Sequence, residues 1–205
     1  MKSTISKILI MFSFSFGLTF AIAAEPVVGK EAPLFEGLTS GGETISLESL
    51  RGKPVMLEWT NYECPYVRKH YESGNMQRTQ ASLTADGVTW ISIISSAPGE
   101  QGHVSADEAN DLSQRRGVYA DYVVLDPEGS IGRKYNAKTT PQMFLIDADG
   151  ILQYMGAIDD KPSARPSSLD GATNYALAAW QSLKAGEPIK ETSTKPYGCS
   201  VKYAE

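Results

Sequence analysis

The chain has 205 residues, with 19 lysines and arginines against 24 aspartates and glutamates, a formal charge of −5. That balance provides no basic face of the kind a nucleic-acid partner requires, and no internal repeat or low-complexity tract points to a solenoid or a disordered array. The first segment is a targeting sequence. Lys2 and Lys7 precede an apolar run from Ile8 to Phe20 that is short for a bilayer span, and Ala21-Ile22-Ala23 supplies a small-x-small cleavage site. Residues 1–24 therefore read as a signal peptide cut after Ala23 or Ala24, the alternative being an uncleaved membrane anchor. The expected mature protein is periplasmic or secreted, with no stable membrane insertion after cleavage. It keeps 17 basic against 24 acidic side chains, a formal charge of 17 − 24 = −7. Its length of about 180 residues suits one domain with a sizeable core. That domain is expected over residues 25–188, followed by a tail over 189–205. Both cysteines, Cys64 and Cys199, remain, and an even count in an exported chain permits one disulfide.

From Glu25 to Leu50 the chain is rich in turn formers, and Ser40-Gly41-Gly42-Glu43 followed by the Thr44 to Leu47 alternation predicts a β-hairpin, then a short turn of helix at Leu47 to Leu50. Val55 to Thr60 reads as a buried strand and Cys64 to Leu83 as one long helix. The β-branched run Thr89 to Ser95 is a second central strand, parallel to the first through a right-handed helical crossover. Beyond a polar loop at Ala97 to His103, Ser105 with Glu108 three places on forms a capping-box signature for a helix ending near Gly117. Val123 to Asp126 is a short strand and Gly129 to Tyr135 a short helix. Pro141 has no N–H to donate, so it belongs at the first residue of the strand that runs to Asp147. Asp147 to Gly150 turns the chain into an antiparallel partner, Ile151 to Ala157. After a loop at Asp160 to Asp170, Gly171 to Ala185 is an amphipathic helix stopped by Gly186 and Pro188.

The stretch that carries chemistry is the strand-turn-helix around Cys64. A helix N-terminus presents unpaired N–H groups and the positive end of its dipole, which favour a thiolate. Pro65 suits the first helical position, and Arg68, Lys69 and His70 are expected to add positive potential. Cys64 is the candidate nucleophile. The window Cys64-Pro65-Tyr66-Val67 resembles the active-site turn of the thioredoxin superfamily, within its redoxin or peroxiredoxin-like branch, with Val67 where the second cysteine of Cys-x-x-Cys would stand. The Pro-x-x-x-Thr-x-x-Cys pattern of peroxiredoxins is not reproduced: Leu57 and Asn61 occupy the matching positions, and Thr60 lies one place away.

The resemblance implies a thioredoxin-like three-layer α/β/α sandwich with a mixed central sheet and an N-terminal β-hairpin extension. It implies that Pro141, preceded by Thr140, forms a cis-proline loop facing Cys64, a trans proline that simply starts the strand being the alternative. It also implies that Glu58 acts as a buried acid assisting proton transfer; an edge-facing carboxylate is the other reading. Tyr62 and Tyr66 are expected to rim the thiol for a protein or peptide substrate, with Pro65 and Trp59 in the same surround, Trp59 chiefly for packing. Cys199, in a tail given freedom by Gly198 and Ser200, is the candidate resolving thiol. The implied protein is a thiol-disulfide oxidoreductase or peroxiredoxin-like reductase that uses no cofactor. Its substrate would be a protein thiol or disulfide or a small peroxide, and its electron donor is left open.

Two other readings remain. One is a redox-inactive binding module stapled by a structural Cys64–Cys199 disulfide. The other is a metal, notably copper, handling protein using His70, His103 and Cys64, although Thr60 replaces the first thiolate of the Cys-x-x-x-Cys-Pro pattern of copper chaperones, which weakens selectivity for a soft metal. Otherwise His70 is an exposed helix residue.

Overall fold

Val55–Trp59 forms strand β3, and all five residues are buried because layers of structure cover both faces of the sheet at this point. The computed structural model describes residues 25–205, and the expected signal peptide lies outside them. β3 pairs in parallel with β4 (Thr89–Ile94) and antiparallel with β7 (Gln142–Ile146). On one side β4 runs parallel to β5 (Tyr122–Leu125), which pairs antiparallel with β1 (Glu36–Thr39), itself joined to β2 (Thr44–Ser46). On the other side β7 pairs antiparallel with β8 (Leu152–Gly156). The result is one mixed seven-stranded sheet in the order β2-β1-β5-β4-β3-β7-β8. The expected N-terminal β-hairpin extension is the β1/β2 edge of this central sheet, joined to it through β5.

Alternation along the strands separates two cores. Leu57, Trp59, Ile91, Ile93, Phe144 and Ile146 face Phe35 and the short helix α4 (Ser130–Lys134), through Ile131 and Tyr135. Met56, Trp90, Met143 and Leu145 face α1 (Pro65–Glu72), α2 (Asn75–Ala85) and α5 (Tyr175–Ala185), and Cys64 belongs to this second core. Helix α3 (Ala106–Arg116) carries the predicted capping box: Ser105 Oγ accepts from Glu108 N at 3.3 Å while Glu108 Oε2 accepts from Ser105 N at 2.8 Å. Among the described residues no helix is long and apolar enough to cross a membrane.

The structure corrects two expectations. The helix from Cys64 to Leu83 is two helices, because Gly74 stands between them with φ +72°, a left-handed conformation open to glycine. The tail is not a loose arm either. Met155 N donates to Thr192 O and Thr194 N donates to Met155 O, so the chain runs beside β8. It then forms β9 (Cys199–Ser200), which pairs antiparallel with β6 (Thr139–Thr140). Beyond Cys199 it is held again: Ala97 N donates to Lys202 O at 2.8 Å, and Tyr203 OH donates to Ala137 O at 2.8 Å with Arg133 stacked on its ring.

Candidate active site

Cys64 is the N-cap of α1 with Pro65 at the first helical position, as the turn chemistry dictates. Its thiol does not cap the helix. It donates to the carbonyl of Thr140 at 3.2 Å instead, and the Thr140–Pro141 bond that follows is cis. Thr140 is at the same time the register partner of Cys199. One residue therefore touches both cysteines, its carbonyl receiving the Cys64 thiol and its backbone pairing with Cys199. The Cys199 thiol is pushed up to about 12, first by burial and then by the neighbouring Cys64. Both cysteines are free thiols. Cys64 is fully buried, while Cys199 is half-buried in the tail above it.

The close approach depends on Gly198. Its φ is +137°, and a Cβ there would lie 2.0 Å from the Thr140 carbonyl oxygen. Tyr197, one residue earlier, packs edge-on against Tyr66 of α1 at a centroid separation of 5.8 Å. The aromatic rim expected for a substrate is filled on this side by the protein's own tail. Pro65 is exposed beside it.

Several other expected site residues lie elsewhere. Trp59 is on the opposite face of the sheet, fully buried between Tyr135 and Phe144, with its indole N–H donated to Ser95 at 3.1 Å. It cannot meet a substrate. Tyr62 lines a cavity of about 40 Å³ with Thr60, Tyr71 and Arg116, and Cys64 is not part of that wall. Asn61, at the peroxiredoxin threonine position, is buried with its amide bonded to Glu63 N and Gln101 O, where it ties down the turn.

Glu58 is fully buried, so it is not edge-facing. Its carboxyl accepts from Tyr71 at both oxygens, and from Gln80, Trp90 and Ser92, at 3.0–3.2 Å. Burial raises its pKa more than these donors lower it. None of these five bonds reaches Cys64.

The Arg68-Lys69-His70 cluster does not surround the thiol. Arg68 pairs with Glu72 at 2.9 Å in solvent, whereas Lys69 and His70 are buried against Asp159. His70, expected on the surface, is enclosed because it lies on the face of α1 that meets the tail. Burial, reinforced by the Lys69 charge, pulls its pKa down to about 4, leaving it neutral at neutral pH. His103 is bonded to the carbonyl of Ser96, so the two histidines and Cys64 are not brought together as the metal reading required. Sequence reasoning missed Asp159 and Tyr197 altogether. The only available signal was the Tyr197-x-Cys199 spacing, which puts both residues on one side of an extended segment.

A mixed sheet with a cysteine at the N-cap of the helix after its central strand, facing a cis-proline loop, is the site of a thiol-dependent oxidoreductase of the thioredoxin superfamily, in its redoxin branch. The chain matches the AhpC/TSA family over residues 28–155 and belongs to it. It is 27% identical over 142 residues to the thiol:disulfide interchange protein DsbE of Escherichia coli (strain K12), covering 66% of this chain and 68% of that one. Similarity to the putative peroxiredoxin bcp of Coxiella burnetii is 29% identity over 134 residues, 61% of this chain and 84% of that protein. A solved structure of a hypothetical protein from Sinorhizobium meliloti 1021 shares the fold with a TM-score of 0.72 at 22% identity, covering 88% of this chain and 97% of that one.

Proposed function

We propose that the protein is an exported thiol-disulfide oxidoreductase that cycles between a Cys64/Cys199 dithiol and a disulfide joining the same two residues of one chain. The observation that carries this reading is the pairing of Cys199 with Thr140, the residue whose carbonyl accepts from the Cys64 thiol. Export is supported by the basic and apolar character of residues 1–24. Disulfide exchange is preferred over peroxide reduction because Asn61 is engaged in holding the turn and Thr60 lines a cavity apart from Cys64.

In the oxidising direction the Cys64 thiolate attacks one sulfur of a substrate disulfide. The substrate S–S bond breaks and one substrate thiol leaves with a proton. Cys199 then attacks the Cys64 sulfur of the mixed disulfide, loses its proton to solvent and expels the second substrate thiol. The protein has lost two electrons and the substrate has gained them. A donor dithiol reverses the sequence: one donor thiolate attacks the Cys64 sulfur, the Cys64–Cys199 bond breaks and Cys199 leaves as a thiol, and the second donor thiol then displaces Cys64 as the donor disulfide forms. The elevated pKa of Cys199 keeps it protonated while Cys64 reacts first.

Because the tail is fastened on both sides of Cys199, a permanent structural disulfide is the competing reading. The two separate by reduction potential, roughly −120 to −270 mV for a catalytic couple and below about −300 mV for a staple. The direct test treats the mature protein with oxidised glutathione and maps peptides without reduction. Recovery of a Cys64–Cys199 peptide pair is expected, and Cys199→Ser should accumulate glutathione on Cys64. Both cysteines remaining free after oxidant would sink the proposal.

A further inference from the structure

Beneath the tail lies a cluster of buried polar groups that takes no part in the thiol chemistry. Lys69 Nζ uses all three of its protons, donating to Asp159 Oδ2 at 3.4 Å, to the carbonyl of Lys161 at 3.0 Å and to Tyr197 OH at 3.2 Å. Tyr197 OH in turn donates to Asp159 Oδ1. Asn75 donates to His70 Nδ1 at 2.8 Å, which leaves the ring proton on Nε2, 3.4 Å from the same phenol oxygen. The single hydrogen and both lone pairs of Tyr197 are therefore used. Lys69 and Asp159 are almost wholly inaccessible to solvent. Burying such a pair is costly, and replacing it with apolar side chains often loses nothing in stability. What a saturated polar cluster adds is a single geometry.

That geometry joins the two halves of the redox couple. Lys69 and His70 are on α1, whose N-cap is Cys64, and Tyr197 is two residues before Cys199. Gly198, the residue between Tyr197 and Cys199, has no side chain to tether it. We propose that Tyr197, seated in the Lys69–Asp159–His70 cluster, is the positioning residue that holds Cys199 on Cys64. Resting on the couple proposed above, this assigns the cluster the task of making ring closure fast, as a high effective concentration of one thiol at the other.

The test uses the full mature chain and 5,5′-dithiobis(2-nitrobenzoate). The first thionitrobenzoate is released in a step that depends on reagent concentration. The second leaves when the free cysteine attacks the sulfur carrying the adduct, so that the mixed disulfide breaks, the Cys64–Cys199 bond forms and the attacking thiol's proton goes to solvent. In Tyr197→Phe, which keeps the ring but not its hydrogen bonds, this second, concentration-independent phase should slow at least tenfold. Asp159→Asn should do the same and decides the matter if the first variant does not fold. The equilibrium constant for oxidation by glutathione should fall in parallel, each tenfold loss raising the potential by about 30 mV. Tyr135→Phe is the structural control, since it also removes a buried phenol hydrogen bond, to Pro33, but in the opposite core. A second phase within twofold of wild type in both tail variants, or equal slowing in Tyr135→Phe, overturns the assignment. No second release in the wild type would instead remove the couple itself.

Discussion

At Glu58 the residue's environment opposes its charge. Four side chains donate to the carboxyl, yet complete burial raises its pKa above the ordinary value of 4.5. A folded-state pKa above the unfolded one means that the native protein binds more protons between the two values. Stability is then full below pH 4.5 and falls as pH rises through the folded pKa, by at most about 1.4 kcal/mol per pH unit. His70 acts in the other direction, its folded pKa of about 4 lying below 6.5, so its contribution is lost as pH falls through that window. Subtracting Glu58→Gln from wild type isolates the glutamate. Urea midpoints measured from pH 5 to 8 should show the variant gaining on wild type as pH rises. A difference that stays constant with pH would show that Glu58 does not titrate in this range.

Among the elements, β9 matters most to the site although it has only two residues. A strand this short has little stability of its own and depends on contacts on either side, Tyr197 and Thr194 before it and Lys202 and Tyr203 after it. Gly198 is its most exposed weakness. In Gly198→Ala the new Cβ meets the Thr140 carbonyl and the backbone sits at a φ that side chains avoid, a strain of order 1–3 kcal/mol. The expected outcome is an undocked β9 over an otherwise folded domain. Iodoacetamide, followed by mass spectrometry of the labelled peptides, should then modify Cys64 on the order of ten times faster than in wild type, where Cys64 is covered. An unchanged Cys64 labelling rate would mean that the tail is not what shields it.

For the whole molecule, the couple closes a loop across 135 positions of the chain, from Cys64 to Cys199. In the chain-entropy picture this disulfide stabilises the fold by about 4–5 kcal/mol through the unfolded state. The dithiol form already docks the tail, with Thr140 bonded to the Cys64 thiol and paired with Cys199. Denaturant unfolding of the oxidised mature protein should therefore have a markedly higher midpoint than that of the reduced protein, with the difference abolished in Cys199→Ser. Coincident midpoints would mean that no bond spanning the two cysteines forms. Linkage makes the same quantity a redox statement, since stabilising the oxidised fold lowers the potential of the couple relative to the unfolded dithiol.

Local pattern was enough for most of the fold. The alternation at Thr44 to Leu47, the apolar runs of β3, β4 and β7, the Ser105/Glu108 capping box and the proline at the start of β7 each declare an element through backbone chemistry that depends on a few neighbours. Cys64 followed by Pro65 at a strand-to-helix turn likewise marked the nucleophile position. The break at Gly74 was also written locally, as a Ser-Gly pair inside a helical pattern, but periodicity on both sides concealed it. Burial and partnership were not legible. Lys69 and His70 are polar residues whose sequence neighbours suit a solvated surface, and only the packing of α1 against the tail takes them out of water. The sequence by itself determined that Cys64 sits at a helix start and that Cys199 is the one other cysteine of the chain. That the tail docks as a strand on Thr140, with Tyr197 locked to Asp159 and Cys199 against Cys64, was decided by tertiary structure, because contacts between residues far apart in the chain leave no periodic trace in it.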